Sequence, residues 1–253
     1  LSKPSPSSYN KWLDCNRAWK YAYIDRKVST NLSFELKYGL RFHSLKEGAE
    51  PDVDLGVKWN KIIEEHEFAH RQYWSAHSKL KVIDTEVEID DWFRGYIDAV
   101  VVDDRGDRWL LEYKTTGSQL DVGSSYWSYH RLQTAMYASA FDCRGVIVDV
   151  SRRPTIRQRK NESDIAYIQR CSDWFYDNRD TVFARKTYHD DPELVLECKH
   201  IDEQIAAAKS KNQFPRNSKA CYKGRNQCEY YDVCWNGESL DNEQLFQIKT
   251  GRK

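Results

Sequence analysis

Along the opening of the chain the apolar side chains return every three or four positions, with Trp12, Cys15, Trp19 and Tyr23 on one stripe, which is the period of an amphipathic helix. Ser8 stands ahead of the stripe as its expected N-cap. The same reasoning predicts a second helix from about Ser33 to Glu47, carrying His43, and a long charged one from about Leu55 to Ser78. From about residue 80 the period shortens to two. KVIDTEVEI, GYIDAVVVD and RWLLEYKTT have the alternation and β-branched content of strands, a helix is expected over SYHRLQTAMYASAF, and GVIVDV is a further strand. Helices from about Asp164 to Arg185 and Pro192 to Lys209 lead to the cysteine-rich CYKGRNQCEYYDVC, and the polar stretch after Trp235 is expected to be disordered. The pattern is therefore α/β, a β-β-β-α-β core between helical ends, without internal repeats or low-complexity segments.

Composition narrows the classes. At 253 residues the chain has room for one domain with an ordinary core. Thirty-nine basic residues balance thirty-nine acidic ones, so no overall field draws a polyanion and any nucleic-acid site must be a local patch. No apolar run approaches the length that spans a bilayer, which predicts a soluble protein with no membrane partner. No charged-then-apolar leader precedes the first helix, and the sequence opens on Leu1 rather than Met, as a chain shortened at its start would. Seven cysteines, an odd number without secretory features, argue for a reducing, cytoplasmic compartment and against a disulfide framework.

The chemistry concentrates in GYIDAVVVDDRGDRWLLEYKTT, residues 95 to 116. A three-residue hairpin loop favours Gly at its third place, where the chain turns left-handed, and Asp104-Arg105-Gly106 meets that need. Asp103 then pairs with Asp107, and counting back sets Asp98 opposite Glu112 on one face, with Lys114 sharing it. Two facing carboxylates repel unless a cation lies between them. The arrangement predicts a hard divalent ion held by oxygen ligands. A two-residue Arg105-Gly106 turn would instead split Asp98 and Glu112 between the two faces.

Asp98 followed by Glu112-Tyr113-Lys114 resembles the Asp...Glu-x-Lys signature of PD-(D/E)xK nucleases, and Gly95 with Asp98 matches the Gly-x-x-Asp form of their RecB-like branch. His43, in YGLRFHSLKEG, is similar to that branch's helix-borne histidine, and Gln133 and Tyr137 to its Gln-x-x-x-Tyr motif. The residue before Asp98 is Ile97 where the signature has Pro. The resemblance implies a restriction-endonuclease-like core, a mixed central sheet flanked by helices, over about residues 80–151. It implies Mg2+ or Mn2+ on His43, Asp98, Glu112 and the backbone carbonyl of Tyr113, and phosphodiester hydrolysis with Lys114, Gln133 and Tyr137 as further catalytic residues. The activity implied is that of a DNA exonuclease on single strands or ends, in recombination, repair or phage DNA processing, with a recombination or replication protein as a conceivable partner. A structure-selective endonuclease and a silent DNA-binding protein are the alternatives.

One cysteine near the start, Cys15, and three near the end, Cys221, Cys228 and Cys234, resemble the iron-sulfur staple of some RecB-like nucleases, the AddB-like and CRISPR-adaptation types. By that resemblance a 4Fe-4S cluster joins segments of about residues 5–25 and 212–236 into a single domain over 1–236, followed by a polar tail, 237–253. The gap from Cys221 to Cys228 is longer than that pattern has, and the paired Cys-x-x-Cys spacing usual for zinc is missing. Cys143, Cys171 and Cys198 are expected to be packing residues.

HEFAH, residues 66 to 70, matches the His-Glu-x-x-His pattern of zinc peptidases but lies in a heavily charged helix without the usual extension, and a solvated face is expected there. Arg152, Arg153, Arg157, Arg159 and Lys160 form a basic run after the fourth strand that could track phosphates. Lys219, Lys223 and Arg225 form a second. Tyr126 and Trp127 are candidates for stacking on unpaired bases.

Overall fold

A computed structural model describes residues 3–121, 125–223 and 226–249. The chain divides into two compact units, one of Leu1–Leu32, Asp90–Arg94 and Glu193–Lys253, the other of Ser33–Ile89 and Gly95–Pro192. The expected cluster-binding ends fall in the first and the expected core, apart from Asp90–Arg94, in the second.

The first unit opens with α1 (Pro6–Asp14) and α2 (Asn16–Tyr23), followed by β1 (Lys27–Ser29). Where the apolar stripe predicts one helix capped by Ser8, the cap is Ser5, whose hydroxyl accepts the Ser8 N–H, with Pro6 at the first helical position. The helix also breaks at Cys15, which is extended (φ −164°, ψ 116°).

The second unit follows with α3 (Phe34–Glu47), capped by Ser33 and ended by Gly48 in the left-handed region (φ 69°), then α4 (Val57–His77). Its sheet is built from β2 (Lys81–Asp90), β3 (Arg94–Val102), β4 (Arg108–Thr116), β5 (Val146–Arg152) and β6 (Phe183–Tyr188), in that spatial order. A 3-10 turn over Ser125–His130 and α5 (Arg131–Ala140) form the crossover that lets β5 run parallel to β4, while β3 with β4 and β5 with β6 are antiparallel. The sheet is thus mixed, as the α/β expectation requires. Between β5 and β6 stand α6 (Asp164–Asp177) and the short α7 (Arg179–Val182). The helix expected to reach Arg185 stops at Asp177, and β6 takes its place as an edge strand. Packing explains the change: Val182 and Phe183 are buried with Ile62, Tyr167 and Phe175 in a core cluster.

The chain then returns to the first unit with α8 (Pro192–Lys211), a short hairpin of β7 (Tyr222–Lys223) and β8 (Asn226–Gln227), and α9 (Tyr231–Trp235). The tail, expected to be disordered, carries β9 (Phe246–Ile248), which pairs antiparallel with β1. Phe246 anchors it, buried and stacked on Tyr230 at 5.7 Å. Among the described residues no helix is long and apolar enough to cross a membrane.

Candidate active site

The β3–β4 hairpin has the three-residue loop. The Asp103 N–H donates to the Asp107 carbonyl at 3.1 Å, and Gly106 takes φ +85°. The Asp103 carboxylate fastens the turn by accepting from the backbone N–H groups of Arg105 (2.9 Å) and Asp107 (3.0 Å) and from the Trp109 indole (3.0 Å). The resulting register pairs Val102 with Arg108 and Ala99 with Leu111. One step further it sets Asp98 opposite Glu112, and both are buried, at 6% and 5% exposure.

Other elements bring the remaining residues to this face. On α3, a Cβ at Gly39 would stand 3.3 Å from Thr115 Oγ1, so the glycine lets the helix lie close to β4. One turn later His43 Nδ1 is 3.5 Å from Asp98 Oδ1. The other Asp98 oxygen accepts the Tyr113 N–H at 2.7 Å. Lys114 Nζ donates to Glu112 Oε1 at 2.6 Å, and Gln133 Nε2 donates to the same oxygen at 2.8 Å and to the Tyr137 hydroxyl at 3.1 Å. Tyr137 in turn donates to the Tyr96 carbonyl at 3.0 Å. All six residues read from the sequence as catalytic or metal-binding side chains therefore meet in one place.

One ligand atom is left over. Glu112 Oε2 is buried without a hydrogen-bond partner among the described residues, a costly condition for a carboxylate oxygen unless a cation meets it. The donor set, two carboxylates and an imidazole, suits a hard divalent ion. Glu47, which the sequence reading overlooks, extends it. His43, Glu47 and Asp98 each offer a ligand atom within 4.8 Å of the others, and the four-residue helical spacing from His43 to Glu47 was the available signal.

Electrostatics sort the roles. Burial alone would lower the pKa of Lys114, but the carboxylates of Glu112 and Asp98 outweigh it and hold the pKa above its usual value. Burial, opposed by Lys114 and reinforced by Asp98, pushes Glu112 up. Asp98 goes down despite burial because His43 and Lys114 favour its charge, and His43 goes up because Asp98 outweighs its burial. A second overlooked residue is His130, on the stripe of Gln133 and Tyr137. It is buried, its Nε2 has no partner among the described residues, and burial, then the nearby Lys114 charge, lower its pKa to about 4.

The family model of the PD-(D/E)XK nuclease superfamily matches residues 46–235, a span containing Asp98, Glu112, Lys114, Gln133 and Tyr137. The chain belongs to the PD-(D/E)XK nuclease superfamily. No curated protein matches the sequence. Among solved structures, this nuclease is similar to a protein from Eubacterium rectale described provisionally as an exonuclease, with 13% identity and TM-score 0.51 over 94% of this chain and 89% of that one. It also matches a phage-related exonuclease from Haemophilus somnus 129PT, with 17% identity and TM-score 0.43 over 82% of this chain and 92% of that one. At these identities the likeness concerns the fold.

Elsewhere in the nuclease the structure revises the sequence reading. HEFAH is not a solvated face: His66 and His70 are 0% and 1% exposed. Nor are its histidines free for zinc. His66 Nδ1 bonds the Tyr38 hydroxyl (2.8 Å), its Nε2 the Ser151 hydroxyl (2.6 Å), and its ring stacks on Phe175, while His70 Nε2 faces Asp149 at 2.9 Å. Asp149 also accepts from Trp74 and twice from Arg185, which completes a satisfied buried network.

In the basic run, Arg153 pairs with Glu35 at 2.9 Å and lies over Phe34, and Arg152 lies over Trp174, so both serve packing. Arg157, Arg159 and Lys160 are exposed. Trp127 is 5% exposed and packed with Val148 and Val150, which removes its ring from base stacking, and Tyr126 is half-buried beside it. Lys219 is exposed before the short hairpin, while Arg225 and the side chain of Lys223 lie outside the described residues. Cys171 and Cys198 are buried, as packing residues should be, and Cys143 is half-buried.

In the other unit, Cys15, Cys221, Cys228 and Cys234 line one small cavity. Cys15 Sγ accepts the Asn217 N–H at 3.3 Å and Cys221 Sγ the Trp235 indole at 3.4 Å.

Proposed function

We propose that this chain is a divalent-metal-dependent DNA nuclease, acting as an exonuclease on single-stranded or end-containing DNA in recombination, repair or phage DNA processing. The observation that carries the reading is the unpartnered, buried Glu112 Oε2 beside Asp98, His43 and the Lys114 ammonium. His43, Asp98, Glu112 and the Tyr113 carbonyl would hold Mg2+ or Mn2+, with Glu47 within reach. The ion supplies Lewis acidity at the phosphate and lowers the pKa of water. Lys114 orients the attacking water and stabilises negative charge on the phosphoryl oxygens. Gln133 fixes the Glu112 oxygen that Lys114 shares, and Tyr137, anchored on Tyr96, fixes Gln133. Arg157, Arg159 and Lys160 are the basic residues free to meet the strand.

The test is end-labelled single-stranded DNA with Mn2+. Cleavage is expected, lost with EDTA and reduced at least about 100-fold by Lys114→Ala, with DNA binding retained. A protein that binds DNA and leaves it intact under all conditions is the silent DNA-binding alternative, and internal cuts on a circular strand support the structure-selective endonuclease. The zinc-peptidase alternative is disfavoured, because both HEFAH Nε2 atoms are already bonded.

A 4Fe-4S cluster on Cys15, Cys221, Cys228 and Cys234 is the second part of the proposal, supported by the single cavity that all four line. A tetrahedral zinc would draw its sulfurs to within about 4 Å of one another. Among the described residues, His43, Glu47 and Asp98 form the one such trio found within 4.8 Å, and it contains no cysteine. The cavity measures about 20 Å3, so loading requires the four side chains to part. Iron and acid-labile sulfide in anaerobically purified protein, lost together in Cys228→Ser, is the expected result, and zinc alone would refute the cluster. Seven unpaired cysteines fit a reducing, cytoplasmic setting.

A further inference from the structure

Tyr126, Trp127 and Tyr129 all stand on the 3-10 turn over Ser125–His130, and the fold uses them differently. Trp127 is buried against Val148 and Val150 of β5, and its carbonyl accepts the Tyr188 hydroxyl at 2.6 Å, which pins the turn to the sheet. Tyr126 is half-buried, with its ring 5.9 Å from that of Trp127 and 4.9 Å from that of His130. Tyr129 is 58% exposed. Among the described residues its one ring contact is with His130, at 5.6 Å and 89°, and no cation lies over it. A single perpendicular contact leaves at least one flat face open. The other exposed aromatic ring described in this unit, Phe68, has Arg71 over it at 5.6 Å.

Exposure alone would mean little, since single apolar side chains are common on protein surfaces. Position is what distinguishes Tyr129. His130, which its ring meets, lies one helical turn before Gln133, and Gln133 Nε2 donates to the same Glu112 oxygen that Lys114 meets. Tyr129 is also close enough to Lys114 for the two to interact electrostatically. The Lys114 side chain is 25% exposed and open to a phosphate. An open ring face beside an ammonium fits a nucleotide, whose phosphate is an anion and whose base, whatever its identity, has a π face. Within a duplex both faces of an internal base are already stacked, so the ring can serve only an unpaired or terminal base.

We propose that Tyr129 stacks on an unpaired base of the DNA strand, next to the phosphate that meets Lys114, and thereby selects single-stranded or frayed DNA as the substrate. The inference rests on the reading of the chain as a DNA nuclease and deepens it by naming the side chain that recognises the unpaired strand.

The experiment titrates the full chain by anisotropy in EDTA, so that binding is read without cleavage, against oligo(dT) and against an all-abasic strand of the same length, which keeps the phosphates and lacks the bases. Tyr129→Ala should weaken oligo(dT) binding at least about 5-fold, the low end for one lost base stack, and change binding of the abasic strand by less than about 2-fold. The slope of log K against log salt should stay as it is, because no phosphate contact is lost. Tyr129→Phe, which keeps the ring, should bind both strands as the wild type does. In the wild type, 5-bromodeoxyuridine placed in the oligo(dT) should photocrosslink to Tyr129, a readout that needs no variant to fold. Unchanged affinity for oligo(dT) in Tyr129→Ala overturns the inference, and so do adducts only elsewhere. A loss equal on both strands, or shared by Tyr129→Phe, overturns it too, since the hydroxyl or the local fold is then responsible. Should the base-selective loss appear in a protein that never cleaves DNA with Mn2+, the nuclease reading fails and the stacking stands. Cleavage without the base-selective loss has the opposite meaning.

Discussion

His43 on α3 and the His66–His70 pair on α4 stand in the same unit and offer the same chemistry, an imidazole beside an oxygen. They differ in what is left over. Around His66 and His70 the surrounding oxygens and nitrogens are bonded to one another, with Asp149 alone accepting from three side chains. Around His43 a carboxylate oxygen, Glu112 Oε2, has no partner among the described residues. The textual motif is closer to perfect at HEFAH, yet the unsatisfied ligand atom is at the hairpin. A metal site in an ion-free structure is recognised by unspent ligand atoms, and a packing network by their absence.

The sharpest way to break this contrast is to remove a ligand from each set. Glu112→Gln should lower DNA cleavage by at least about 100-fold, whereas Glu67→Ala should leave the rate within about 2-fold, and a reversed pattern in a gel assay would return HEFAH to contention. Next in size is the cost of opening the satisfied network. Asp149→Ala strands Arg185 and His70 in the interior and should destabilise the fold by about 3–5 kcal/mol in urea titration, since one partner of a buried ion pair is deleted. A loss below about 1 kcal/mol would mean that the network is not the support it is described to be.

A smaller effect depends on pH. His66, His70 and His130 are all held below their ordinary value, chiefly by burial. The unfolded chain therefore takes up their protons first, and stability falls as pH drops below about 6.5. For His130, whose pKa falls to about 4, the loss over that span is about 3 kcal/mol. His43, pushed up by Asp98, works in the opposite sense and contributes stability on the acid side. The net expectation is a Tm that declines from pH 7 to pH 5, and a flat profile would count against three neutral buried imidazoles. Smallest of all is Glu47→Gln, for which Mn2+ titration calorimetry should show an affinity reduced by about 3- to 10-fold with no change in Tm. Unchanged affinity would leave the ion to His43, Asp98 and Glu112.

The hairpin was legible in the sequence because its determinants are local. Gly106 fixes the loop, the loop fixes the register, and the register fixes which carboxylates face each other. β6 was not, because FARKTY is short and charged and its strand state is decided by the burial of Phe183 and by pairing with a distant β5. The burial of His66 and His70 was hidden for the same reason: the partners that make it tolerable, Ser151 and Asp149, lie more than seventy residues away. Glu47 was legible and overlooked, one helical turn beyond a histidine already chosen. At Cys15 the stripe correctly marked the inward face but not the break in the helix that leaves the residue extended.

The pairing of β9 with β1 ties residues 246–248 to residues 27–29 across the whole sequence of the catalytic unit. On the ribosome this imposes an order. The five-strand sheet can close as soon as β6 has emerged, while the first two helices must wait, their aromatic rings and Cys15 exposed, for segments made last. Translation thus completes the nuclease core before the unit that would carry the iron, and a pause or early stop after residue 192 would release a folded catalytic sheet joined to an unfinished terminal unit.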